Sequence, residues 1–197
     1  MLRIKEKEMK FIKIVAALTT LLSLLVFAAD ASATTLEVNG VAKNSSVTIE
    51  AALPGGVSML LTDTGNVAAN TWAVAPLVMK TSTFTGTTVG GSITGMSFTT
   101  GTEGNVTVDT AGSFSIERIG TTTNGTLRWS GSKLTIPSFF GPLTCTTSNT
   151  DIGTLSGVAA GNAKVIVNAV LPCTVIGTAK LSGTYTVTNP LGLGVTS

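Results

Sequence analysis

The residues able to do chemistry are few. Cys145 and Cys173 are the only cysteines, 28 positions apart, and the chain contains no histidine. Without histidine there is no Ser-His-Asp or Cys-His route to an activated nucleophile. The commonest metal ligand is missing too. Zinc asks for four N, S or O ligands, so two cysteines alone make a poor metal or redox pair. In an oxidising compartment the same two residues form one intramolecular disulfide, which is the expectation here.

Two further patterns carry chemistry elsewhere. Ser130-Gly131-Ser132-Lys133 has the S-x-x-K spacing of serine–lysine acylases. That motif needs a helix start and a K-T-G partner. Here it holds a glycine, lies between two strand-like runs and has no K-T-G, so it reads as a hairpin turn. Glycoside hydrolysis needs two carboxylates across a cleft. Beyond residue 33 the acids are Glu37, Glu50, Asp63, Glu103, Asp109, Glu117 and Asp151. Most sit at polar positions of strands or in turns, where solvation explains them. Asp63-Thr64-Gly65-Asn66 and Asp151 lack the D-x-D-x-D series of a calcium loop. No catalytic residue, metal site or cofactor is expected.

The compartment is set by the N-terminus. Lys10 and Lys13 precede an apolar run, Ile14 to Ala29, and Ala31-Ser32-Ala33 gives the small residues read by a signal peptidase. A spanning helix needs about 20 apolar residues, more than this run supplies. Residues 1–33 therefore read as a removed signal peptide, with cleavage between Ala33 and Thr34. Translation starts at Met1 or, with a cleaner positive region, at Met9. Residues 34–197 read as one domain, secreted to the extracellular space, cell surface or periplasm. The membrane is met only through the uncleaved signal.

Removing that segment changes the charge. The chain has 12 Lys and Arg and 10 Asp and Glu, and seven of each lie beyond residue 33. The domain is near neutral and its cations are scattered, so nucleic acid is not an expected partner. Low charge favours self-association or contact with other surface components.

Alternation of apolar and hydroxyl-rich residues marks strands: Val47/Ile49, Val106/Val108, Phe114/Ile116, Leu127/Trp129 and Tyr185/Val187. Lys164 to Leu171 is more continuously apolar and reads as a central strand. Asn39-Gly40, Asn124-Gly125, Pro54-Gly55-Gly56, Gly65-Asn66, Gly90-Gly91 and Ala111-Gly112 punctuate the runs. Pro137 to Gly161 has little pattern and reads as a long loop. The expectation is an all-β fold: a single antiparallel β-sandwich, jelly-roll or Ig-like, of about ten strands with one disulfide. Phe139 and Phe140 lie in the unpatterned segment. They either fold back on the core or form an exposed contact patch.

The run Thr150 to Ala163, then Val167-Asn168-Ala169-Val170-Leu171-Pro172-Cys173, then Leu181-Ser182-Gly183-Thr184-Tyr185-Thr186-Val187-Thr188, resembles small secreted bacterial proteins known as activators of alkane oxidation, the PraB-like group. The resemblance covers about residues 140–190. It implies a non-enzymatic protein of the cell surface or biofilm matrix. Two other expectations stay open. One is a binding module for a hydrophobic small molecule, an alkane or lipid, which requires an apolar cavity. The other is a secreted hydrolase, which requires two acids converging in one cleft.

Overall fold

The computed structural model describes residues 33–53, 57–63, 66–72, 77–84, 86–98, 105–137, 141–174 and 177–197, with the backbone alone for 57–63 and 66–72. In chain order the strands are β1 Thr35–Val38, β2 Val41–Lys43, β3 Thr48–Ala52, β4 Val57–Asp63, β5 Asn66–Trp72, β6 Leu77–Thr83, β7 Thr88–Gly95 and β8 Thr107–Thr110. They continue as β9 Ser113–Arg118, β10 Gly125–Ser130, β11 Lys133–Ile136, β12 Leu143–Thr146, β13 Thr150–Ser156, β14 Lys164–Pro172, β15 Thr178–Asn189 and β16 Leu193–Thr196. The fold is all-β and antiparallel, as its Thr- and Val-rich alternation requires.

The strands close into a barrel. Around the wall the order is β3, β6, β7, β9, β10, β13, β14, β15, and β15 returns to β3. Each pair is antiparallel and the wall follows chain order, so this is an up-and-down barrel of eight strands. The expected sandwich is therefore corrected. Alternation places one face of each strand inward in either architecture. What decides is that β15 has partners on both sides, β14 through Val165↔Tyr185 and β3 through Ala51↔Val187. Eight strands enclose an interior just wide enough for side chains or one small ligand.

One end of the barrel is capped by the sheet β16–β1–β2. Leu36 and Val195 are fully buried there. The cap is fastened by Val195 N–H to the Thr123 carbonyl at 3.0 Å and by Val158 N–H to the Leu193 carbonyl at 3.0 Å.

The opposite end is prolonged rather than capped. β8, β11 and β12 pair in the order β8–β11–β12, repeating their continuations β9–β10–β13 in the wall. Each joint has a residue with positive φ: Gly112 at 77°, Gly131 at 67° and Asn149 at 51°. The three strands thus bend along one line without breaking their neighbour order. Gly112 has a steric reason to be glycine as well, because a Cβ there would lie 2.3 Å from the Ser130 carbonyl oxygen. Behind the bend, Ser132 and Thr147 are buried, with hydroxyls 2.8 Å apart.

Sequence and structure differ where local pattern was thin. The segment Pro137 to Gly161, expected as a loop, carries β12 and β13. Ser130-Gly131-Ser132-Lys133 is not a hairpin turn but the bend between collinear β10 and β11. Gly90-Gly91 lies inside β7, and Gly125 opens β10. β14 is paired on both sides as expected, yet only one face is buried. Val165, Ala169 and Leu171 point in, while Ile166 and Val170 are exposed.

Candidate functional site: an apolar chamber in the barrel

Inward positions of the wall converge on a chamber near the prolonged end. Leu77 and Met79 come from β6, Ile93 from β7, Phe114 from β9, and Leu127 and Trp129 from β10. Ile152, Val165, Val167, Ala169, Leu181 and Tyr185 complete the wall from β13, β14 and β15, and Met96 and Phe98 follow β7. These residues share a face because directly paired residues in antiparallel strands point the same way. Trp129 pairs with Phe114, Val165 with Tyr185, and Ala169 with Leu181.

The void exists because small residues occupy inward positions. Ala169 ends at Cβ, and Gly183, opposite Val167, sends nothing inward between Leu181 and Tyr185. The cavity volume is about 40 Å³. A buried water needs polar partners as well as room. Almost all the surface facing the void is carbon, so the chamber suits an apolar occupant better than water. An apolar cavity that takes up benzene measures about 150 Å³, so this one suits a smaller occupant. Met79 and Met96 give the wall some adaptability, because methionine is unbranched and repacks readily. Met96 and Val167 are only half-buried.

Two wall residues carry polar atoms. The Trp129 indole N–H donates to the Ala111 carbonyl at 2.6 Å and is thereby satisfied. Tyr185 is 5% exposed, and desolvation pushes its pKa up to about 12, so the phenol is protonated at neutral pH.

No family model, curated protein or solved structure matches this chain.

The other candidate groups lie apart from the chamber. Cys145 and Cys173 form the disulfide. It ties β12 to the residue just past β14, beside the Thr174 N–H bond to the Thr144 carbonyl at 2.8 Å. A disulfide here fits an oxidising extracellular or periplasmic setting. Among the described residues no helix is long and apolar enough to cross a membrane. Residues 1–32 of the expected signal lie outside the described residues, as do Phe139 and Phe140. Ala33 is exposed and Thr34 is buried at 1%. Thr34 donates through its N–H to the Gly86 carbonyl at 3.2 Å, and its hydroxyl accepts the Arg118 N–H at 3.1 Å.

Glu117 and Asp151 do come together, but on the outside of the wall. Arg128 donates through Nη1 to Glu117 at 2.6 Å and through Nε to Asp151 at 2.7 Å. The bonds to Asp151 and Glu117 raise the Arg128 pKa above its ordinary value. These acids hold a cation across three strands, with no cleft between them. Asp109 accepts the Thr135 hydroxyl at 2.8 Å and lies 3.9 Å from Lys133. Glu37 and Glu50 sit on β1 and β3, the Asp63 side chain is not described, and Glu103 is outside the described residues. Ser130 Oγ accepts the Asn149 N–H at 2.8 Å, while Lys133 reaches toward Asp109. No serine–lysine pair is assembled. Among the described residues no cluster of three potential metal ligands occurs.

Sequence reasoning found Phe114, Leu127, Trp129 and Tyr185 as inward positions but not the chamber. The available signal was small residues, Ala169 and Gly183, at inward positions of otherwise bulky strands.

Proposed function

We propose that this chain is an exported binding protein that holds a small apolar molecule inside its barrel and acts without making or breaking bonds. The observation that supports this reading is the carbon-lined chamber at the end of a closed eight-stranded wall. Concave, mainly apolar sites in barrel mouths are where small molecules bind. Arg128, Glu117 and Asp151 pair on the outer face of the wall, and none of the ionised side chains lines the chamber. Thermal unfolding in buffer saturated with propane tests the reading. Ligand that binds only the folded state raises the unfolding temperature. A rise is expected with propane, and an unchanged midpoint would remove the reading.

A second reading, a matrix or adhesive component acting through surface contact, is favoured by a different observation. Ile166 and Val170 are 42% and 52% exposed on the outer face of β14. Closure removes the edges of the eight wall strands, so pairing with another chain would fall to β5 or the small sheets. Loss of concentration-dependent light scattering in Val170→Lys is the outcome this reading requires.

A further inference from the structure

The sheet β8–β11–β12 is built as a flap. It continues three wall strands, and its joints with them lie in a row at Gly112, Gly131 and Asn149. The backbone bonds at this row run from strand to strand: Gly131 N–H to the Thr147 carbonyl at 3.0 Å, and Thr147 N–H to the Ser132 carbonyl at 3.2 Å. A swing about the row leaves them whole. Among the described residues β8 pairs with β11 alone, so that edge of the flap has no ladder to the wall. The other edge, β12, meets β14 at the Cys145–Cys173 bridge and disulfide, with the Thr144–Thr174 backbone bond beside it.

The flap stands at the chamber's end of the barrel. Its Leu134, Ile136 and Leu143 are fully buried in the same core as the chamber wall. Phe114, Trp129 and Ile152 border the void and lie two or three residues from the joints. The Trp129 indole bond to the Ala111 carbonyl ties the wall to the joint between β8 and β9. Resting on the binding reading above, we propose that this flap is the chamber's door and that the disulfide bolts it. Exchange of an apolar occupant is slow in the disulfide-bonded protein and fast in the reduced one. Burial of Leu134, Ile136 and Leu143 keeps the reduced flap shut most of the time, so it opens as a brief local event.

The co-reactant is a dithiol. Its thiolate attacks Sγ of Cys173, which is half-buried between exposed Pro172 and Thr174, rather than the fully buried Cys145. The S–S bond breaks, and Cys145 leaves as a thiolate and takes up a proton. The second thiol of the reductant then displaces Cys173. The protein gains two electrons and two thiols, and the dithiol becomes a disulfide.

The test follows xenon exchange through the methyl NMR signals of Met79 and Met96, which border the void. It compares the disulfide-bonded protein with the protein reduced by dithiothreitol. Reduction is expected to speed exchange at least about tenfold, a smaller factor than the closed loop supplies. Ile49→Val, with the disulfide intact, weakens a fully buried wall position away from the flap and should leave the rate near that of the parent. Equal rates in the two redox forms, or as large a rise in Ile49→Val, would overturn the bolt and leave the chamber reading standing. A reduced protein that unfolds altogether would overturn it too, because the flap would then not open apart from the barrel. If xenon shifts the signals of neither form saturably, the chamber reading fails and takes this inference with it.

Discussion

Ala169 on β14 stands directly across from Leu181 on β15, and both side chains border the chamber. A larger residue at 169 would grow into the void. Ala169→Ile is expected to raise stability by about 0.5–2 kcal/mol, as cavity filling commonly does. It should also abolish the propane-induced rise in unfolding temperature. Urea unfolding measures the first effect. A loss of about 1–3 kcal/mol would instead indicate overpacking of an already full interior.

Tyr185 makes stability sensitive to alkali. Its folded pKa is raised from about 10 to about 12 by desolvation. The unfolded chain therefore releases this proton first, and the folded state loses ground as pH rises. The contribution is intact below pH 10 and declines through pH 12, by about 2–3 kcal/mol in all. The chain has a single tyrosine, so tyrosinate absorbance reports this group alone. A folded-state midpoint near 10 would contradict the buried placement.

Gly112 sits where β8 bends into β9 with φ of 77°, against the Ser130 carbonyl. Gly112→Ala is expected to cost about 2–4 kcal/mol, from left-handed strain together with overpacking. Gly131 has φ of 67° but open space around it, so Gly131→Ala should carry the strain alone and cost less. Denaturant unfolding of the two variants gives the order. Equal costs would show that the carbonyl contact is unimportant.

The disulfide ties the prolonged sheet to β14 and closes a loop of 28 residues. The chain-entropy account assigns such a loop about 3–4 kcal/mol. Replacing both cysteines by serine should lower stability by that order. Amide exchange should accelerate more in β8, β11 and β12 than in β9 and β10. Uniform acceleration would mean that the sheet and barrel open together.

Local pattern made much of this molecule legible. Phe114/Ile116, Leu127/Trp129 and Tyr185/Val187 show their inward faces by alternation alone, and the two cysteines announce their bond. Closure was not legible, because it depends on β15 meeting β3 across more than a hundred residues of sequence. The bend at Gly112, Gly131 and Asn149 was hidden for a related reason. Glycine and asparagine signal a turn locally, and only the pairing of β8, β11 and β12 shows that the strands continue. The chamber depends on absences, at Ala169 and Gly183, which alternation treats as weak strand positions rather than as space.

The most direct measurement is methyl NMR of the disulfide-bonded protein under xenon, a sphere that probes apolar voids without hydrogen bonding. Saturable shifts of the Met79, Met96 and Ala169 methyl signals, absent in Ala169→Ile, are the expected result. Shifts that rise linearly with pressure and are unchanged for Met79 and Met96 in Ala169→Ile would mean that the barrel holds no chamber.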